Sequence, residues 1–505
     1  MRLNLVKEFK TNKIDYLLLV LFLVVGWLVR VDGLFTGDFP FLFDHGRDML
    51  AVKKIVVDNK LTLIGPHTGF QGLFHGPIWY YLLAIPFFFS GGDPVASVLL
   101  MVVLGILSII LGYFVGRSLF SRATGLLLAL FIAFSPSSVF LSRFFWNPYP
   151  IPSLMLVFYF FVLKIVRDKK ANVFLWGLSG FVAGMIGQFN LAFGFFMIPA
   201  TALLILIFGI RKLESFVAAL FGCLITFLSQ VLFESRHDFL MTRSLIKFFA
   251  GESRGLGEVV IFPTRFFHRL NELERSTILS ISQDKFLAYC IFFLAVFIFV
   301  FLSRRKEKKE KLISNFIALA ILPSIMFLGF LIFPYVAWSY YWIGLQTTYY
   351  LFLAVVFGTL LQLEESKFFQ LVVISVLIIW GTYTLVSPSL YVAKGEGGPT
   401  TYKNEINAID WIYQDAGGEP FGLFVYTPPV YDYAYQYLFW WRGSKKYGYL
   451  PTQDKGGLFY LIIEPDPERP WGPQGWKETV IKTGRVVKEV TLPGRITIEK
   501  RHGEG

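Results

Sequence analysis

The chain has 505 residues, of which 55% are hydrophobic, 18% aromatic and only 16% charged, with a mean hydropathy of +0.58. Soluble domains are nearer a quarter charged, so the composition excludes a soluble enzyme or binding module and implies a polytopic membrane protein. The net charge of +12 is no sign of nucleic acid, because the cations sit in short blocks between apolar runs, the positive-inside pattern.

The first apolar run, Ile14–Val31, follows a basic stretch (Arg2, Lys7, Lys10, Lys13) and lacks a small-residue cleavage site. It reads as a signal anchor with its N-terminus cytoplasmic. A polar first outer loop (34–92) comes next and gathers Asp44, His45, Arg47, Asp48, His67 and His75. Asp44 is placed to cap a short helix from His45 to about Asn59. Met49, Val52 and Val56 share one face of that helix, which predicts an element lying in the interface. Residues 77–90 are apolar but short, beginning Gly-Pro and ending Gly-Gly, and suit a re-entrant helix better than a full span.

Further apolar runs follow at about 94–116, 122–140, 148–166, 172–189, 191–210, 213–233, 286–302, 312–333, 341–362 and 367–386, for about 11 transmembrane helices with the anchor. If 77–90 does not cross, nearly every basic block lands inside: Arg117/Arg122, Lys164–Lys170, Arg211/Lys212 and Arg304–Lys311. A long loop (234–285) carrying Arg236, His237, Asp238, Arg243 and Arg254 then lies outside. Residues 1–389 form the membrane domain. Residues 390–505 read as a small extracytoplasmic α/β domain, with a helix near 402–414, strand-like 421–427 and 458–464, an aromatic helix at 431–441, and strands around 479–490 and 495–500. The two cysteines, Cys223 and Cys290, lie in apolar runs and read as packing residues.

Asp44 and Asp48 are one helical turn apart, with Arg47 between them. A carboxylate held against a hydroxyl acts as a general base; the alternative is a helix cap with a surface ion pair. His45, His75 and His237 could converge with Asp44 on a divalent ion, although no HxxxH or HxH spacing supports a metal. Arg143, Arg236 and Arg243 sit at outer helix ends, where cations either neutralise a phosphate or snorkel to headgroups. Trp79, Tyr80, Tyr81, Trp146, Tyr149, Trp338, Tyr340, Tyr341 and Trp342 fall at the outer interface and read as an aromatic belt. No P-loop, no GxGxxG in a strand–helix context and no GxSxG is present.

The order of motifs resembles the GT-C glycosyltransferases of the family 39 group, which holds the protein mannosyltransferases and the lipid A aminoarabinose transferases. The resemblance rests on FDHGRD after one anchor helix, GPIWYYLLAIPFFFSGG (Gly76–Gly92), the inside turn GRSLFSR (Gly116–Arg122) and SRFFWNPY (Ser142–Tyr149). A second acid common in that group is Asn147 here, and the Glu-Lys of the aminoarabinose branch is His75-Gly76. The resemblance implies transfer of a sugar from a polyprenyl-phosphate donor to a glycan, lipid or protein acceptor on the outer face, inverting. Asp44 would be the base, Arg47 and Asp48 would complete the catalytic group, and His45, His75, Arg143, Asn147, Arg236, His237 and Arg243 would bind substrate. No cofactor is required, and a divalent cation is left open, with Asp44 and His75 its ligands. The rivals are a lipid-linked saccharide transporter or flippase, which would place ionisable residues inside its spans, and an oligosaccharide polymerase or ligase, which would put its key residues in a late loop.

Overall fold

The computed structural model describes residues 13–169, 172–250, 259–363, 366–392, 397–428 and 430–503. Arg2, Lys7, Lys10, Lys170 and Arg254, which figure in the charge pattern above, lie outside the described residues. The membrane part runs α1 (Lys13–Val31), α2 (Phe43–Val56), α3 (Ile78–Ser90), α4 (Pro94–Leu119), α5 (Arg122–Phe134), α6 (Pro136–Phe140), α7 (Ile151–Asp168), α8 (Val173–Phe189) and α9 (Leu191–Phe208). It continues through α10 (Lys212–Thr226), α11 (Leu228–Arg236), α12 (Leu240–Phe249), α13 (Phe262–Ser276), α14 (Lys285–Ser303), α15 (Lys306–Ile332), α16 (Leu345–Leu360) and α17 (Lys367–Val386).

Short polar caps set where the chain turns. Asp93, Ser121, Asn172, Asn190 and Asp284 each accept a backbone N–H at the start of α4, α5, α8, α9 and α14, satisfying donors that a helix cannot pair itself. Every apolar run read from the sequence forms a helix, but not all are of spanning length. Among the described residues six helices are long and apolar enough to cross a membrane, and α10 with α11, bent by 60°, would make a seventh. The run at 122–140 breaks at Ser135–Pro136, because proline has no N–H to continue the ladder. Helix α3 has 13 residues, about 20 Å at 1.5 Å each, too short for a ~30 Å core. Helix α16 is buried along most of its length and is the hub of the bundle.

One buried charge lies in the anchor helix. Arg30 is 1% exposed. It donates to the carbonyls of Gly26, Ile132 and Ala133 and to Ser142 Oγ, so it satisfies the frayed end of α5. Its guanidinium is held by the protein's own backbone and one serine.

The tail forms a four-stranded sheet in the order β1-β2-β4-β3, with β1 (Gly422–Tyr426) parallel to β2 (Leu458–Ile463), and β4 (Ile496–His502) antiparallel to both β2 and β3 (Arg485–Leu492). Residues 479–481, expected as strand, close a helical turn instead, and the strand begins at Arg485. Alternation along β2 sends Tyr460 and Ile462 to the main core, and Phe459, Leu461 and Ile463 to a small second core with Tyr426 and Ile481. Helix α18 (Tyr402–Ala416) packs on the first of these faces, and α19 (Tyr433–Leu438) packs on α2. The tail is laced to the segment between α1 and α2: Phe41 N–H donates to Thr400 O at 2.8 Å and Tyr402 N–H to Phe39 O at 3.0 Å. The tail therefore fixes the entrance to α2 directly.

Candidate active site

Helix α2 starts at Phe43, one residue before the expected cap. Leu42 takes the cap position and its N–H donates to His45 Nδ1 at 2.7 Å. Asp44 is thus inside the first turn, its carboxylate free for other partners. Helix α2 buries His45, Gly46, Asp48, Met49 and Val52 between α3 and α19. Gly46 makes the second contact possible, since a Cβ there would come within 2.4 Å of the Tyr433 carbonyl.

Three side chains of α2 and one of α3 form a continuous polar chain. Arg47 Nη1 meets Asp44 Oδ1 at 2.5 Å. Its Nε and Nη2 donate to Asp48 Oδ1 at 3.0 and 2.8 Å, and Trp79 Nε1 donates to Asp48 Oδ2 at 2.7 Å. Burial pushes both carboxyl pKa values above the ordinary range, against the pull of Arg47. Burial disfavours the guanidinium charge too, yet Asp48 and Asp44 hold its pKa above the usual value. Asp48 is 1% exposed while the Asp44 side chain is 22% exposed. Asp48 is the anchor and Asp44 the accessible acid.

Asp44 stands between two cavities. The larger, about 860 Å³, is walled by Leu73, Phe195, Phe248, Phe330 and Phe333 and carries Asp44, Arg47, His67, His75 and Asn147 at its polar end. The smaller, about 510 Å³, is lined by His45, Ser137, Glu272, Arg275, Ser276 and Gln346. Asp44, Trp146 and Tyr340 line both. The Trp146 and Tyr340 rings meet edge to face at 5.2 Å and complete the partition. Burial raises the Glu272 carboxyl pKa, countered by His268 and Arg275.

The junction of α8 and α9 holds the first loop beside this partition. Leu191 N–H donates to His75 Nδ1 at 3.1 Å, Asn147 Nδ2 to Phe189 O at 2.6 Å and Asn190 Nδ2 to Tyr340 O at 3.0 Å. Both His45 and His75 accept an amide on Nδ1, which assigns their proton to Nε2. Burial, with the Arg47 charge adding to it, lowers both pKa values to about 3, so they stay neutral donors.

A histidine whose Nδ1 lone pair is spent and whose Nε2 bears a proton has none left for an ion. His237 stacks on Phe233 at 4.0 Å and lines neither cavity, and both α2 carboxylates are held by Arg47. No group of three or more His, Cys, Asp or Glu is placed to hold a metal among the described residues.

Arg47 reaches the larger cavity, whereas Arg143, Arg236 and Arg243 do not line it. Arg143 is half-buried and donates to the carbonyls of Val29 and Leu390, closing the anchor helix onto the turn before the tail. Arg236 and Arg243 are exposed, and Arg243 donates to Asp238 O. Nor do the aromatics form one belt. Trp79 and Trp342 are fully buried, Tyr80 and Tyr341 nearly so, and of this set Trp338 stands out at 57% exposed. Trp79, His67, Glu272 and Arg275 join the site only in the folded chain; neither spacing nor residue type separates an acid-binding tryptophan from an interfacial one, or a cavity-lining charge from a surface one.

No family model matches the chain, and no curated protein matches it. Solved structures do. ArnT from Cupriavidus metallidurans bound to undecaprenyl phosphate superposes with a TM-score of 0.60 at 11% identity, over 97% of this chain and 98% of that one. Its apo state gives 0.61 at 10% identity, over 96% and 97%. This chain has the GT-C fold. The Archaeoglobus fulgidus oligosaccharyltransferase tethered to an acceptor peptide also matches, with a TM-score of 0.51 at 13% identity, over 95% of this chain and 73% of that one. At these identities the GT-C fold is shared and the chemistry rests on the site. The segment from Phe43 to His75 and the α8–α9 junction together hold the partition on which Asp44 sits.

Proposed function

We propose that the protein is a membrane glycosyltransferase that moves a sugar from a polyprenyl-phosphate donor to an acceptor on the outer face of the membrane. The observation that carries this reading is the position of Asp44, paired with a cavity-facing arginine on the wall between an apolar cavity and a more polar one. The ArnT neighbour was crystallised with undecaprenyl phosphate, and the larger cavity here has the aromatic and aliphatic walls that an isoprenoid needs.

Asp44 takes the proton of the acceptor hydroxyl. The acceptor oxygen attacks the anomeric carbon, the bond from that carbon to the phosphate oxygen breaks, and its electron pair leaves with the phosphate. Attack on the face of the sugar opposite the departing phosphate inverts the anomeric centre. Burial supports the base, since a raised carboxyl pKa favours proton uptake. Arg47 is the cation on the wall of the larger cavity. As Asp44 gains its proton, its ion pair with Arg47 weakens, and the guanidinium charge is freed for the phosphate as negative charge develops there. His75, as a neutral donor on the wall of the larger cavity, can hydrogen-bond an oxygen without adding charge.

Purified protein in lipid nanodiscs, incubated with polyprenyl-phospho-hexoses and pentoses, is expected to release polyprenyl phosphate in an Asp44-dependent way. Failure to turn over any such donor, with the sugar carried intact across the bilayer of a proteoliposome, would instead select the transporter reading.

A further inference from the structure

The tail places an aromatic pair beside α2 that the chemistry above does not use. Tyr431 and Tyr433 lie with their planes 7° apart and ring centroids 5.7 Å apart. Tyr431 also meets Phe43, with centroids 6.0 Å apart. Phe43 immediately precedes Asp44 and lines the larger cavity. Tyr431 is 56% exposed and Val430 before it 76% exposed. A folded chain tends to bury such side chains.

The backbone is arranged to hold them out. Val430 has φ +66°, a left-handed conformation that a β-branched residue adopts only when its surroundings impose it. The turn is tied by Val430 N–H to Thr427 O at 2.9 Å, by Thr427 Oγ1 to Tyr431 O at 3.3 Å and by Arg469 to Pro428 O. Gly46 lets the backbone of Tyr433 and Ala434 sit against α2. The pair is therefore fixed to the helix that carries Asp44.

We propose that Tyr431, Tyr433 and Phe43 form a stacking platform for the acceptor, and that the acceptor presents a carbohydrate there. The proposal rests on the transferase reading and deepens it. A pyranose ring has a C–H face that packs on an aromatic ring and a rim of hydroxyls that seek polar partners. The platform offers both, because exposed Gln436 donates to Asp432 Oδ1 at 2.7 Å beside the rings. Charge argues against an anionic lipid surface as the occupant. The flanking groups are the acids Asp432 and Asp44, while Arg469 is paired with Asp466 at 3.3 Å and Arg47 with Asp44 and Asp48.

The test uses the full chain in nanodiscs with three probes: chitotetraose, mannotetraose and maltotetraose. Saturation-transfer NMR is expected to show binding of at least one probe by the wild type, a loss of at least tenfold in affinity in Tyr431→Ala, and retention in Tyr431→Trp. Release of polyprenyl phosphate to water should be unchanged in Tyr431→Ala, because Asp44 and Arg47 are untouched. Binding without any donor turnover would keep the platform and discard the transferase reading. No binding of any probe, equal binding by Tyr431→Ala, or a Tyr431→Ala defect seen only when anionic lipid replaces neutral lipid in the nanodisc would overturn the proposal.

Discussion

Trp79 donates its indole N–H to Asp48 Oδ2 at 2.7 Å, and Asp48 in turn grips Arg47 through its other oxygen. This pair ties the short helix α3 to α2 and holds the Arg47 side chain on the wall of the larger cavity. Trp79→Phe keeps the ring and deletes the donor, leaving a buried carboxylate oxygen unpaired. Its pKa, already raised by burial, rises further, so Asp48 takes up a proton at higher pH and loosens Arg47. The expected result is a higher donor KM and an acid limb of kcat/KM displaced to higher pH. An unshifted acid limb would show that Trp79 only fills space.

Asp44→Asn should leave insertion and folding intact, because the amide is isosteric and still faces Arg47. Transfer should fall by at least about a hundredfold, the scale of a lost general base. Turnover of a polyprenyl-phospho-sugar by the purified variant at wild-type rate would remove Asp44 from the role.

The wild-type pH profile follows from the same residue. A base works deprotonated, and burial raises the Asp44 pKa above that of an ordinary carboxylate despite Arg47. Activity should therefore climb as pH rises through that raised value, with its acid limb above the ordinary carboxylate range. His45 and His75, held neutral with pKa values lowered to about 3, should contribute no step between pH 5 and 8. A titration of kcat against pH in nanodiscs checks both statements.

The tail has its own pH dependence. Glu464 is buried, accepts from Tyr435 Oη at 3.0 Å, and is pushed up to about 7 by that burial; Glu405 beside it is raised well above its ordinary value. The native state holds the proton more tightly than the unfolded chain. Stability is fully present below the unfolded value near 4.5 and is lost as pH rises through about 7, by an amount on the order of 3 kcal/mol. Thermal unfolding of the tail should shift to lower temperature across that window, and Glu464→Gln should flatten the slope. A slope unchanged in that variant would place the proton elsewhere.

Gly46→Ala tests the seat of the tail on α2. A Cβ there would lie within 2.4 Å of Tyr433 backbone atoms, so α19 must move away. Overpacking of this kind costs about 1–3 kcal/mol. A lower melting temperature together with weakened acceptor use is expected; wild-type values for both would mean that the helices separate freely.

The sequence by itself determined the membrane class, the apolar runs that became helices, the strand-rich tail and the polar, acid-bearing loop after the first helix, because hydrophobic length, caps and alternation are local properties of the chain. It also pointed to Asp44, Arg47 and Asp48, which sit within one turn of each other and so meet whatever the rest does. Only the tertiary structure decided that Arg47 lines the cavity while Arg143, Arg236 and Arg243 do not, since an arginine at a helix end looks the same whether it meets a carbonyl, water or substrate. The tie from Trp79 to Asp48 spans 31 residues, and the one from Leu191 to His75 spans 116. No periodicity encodes contacts so distant, because they exist only once the bundle has packed.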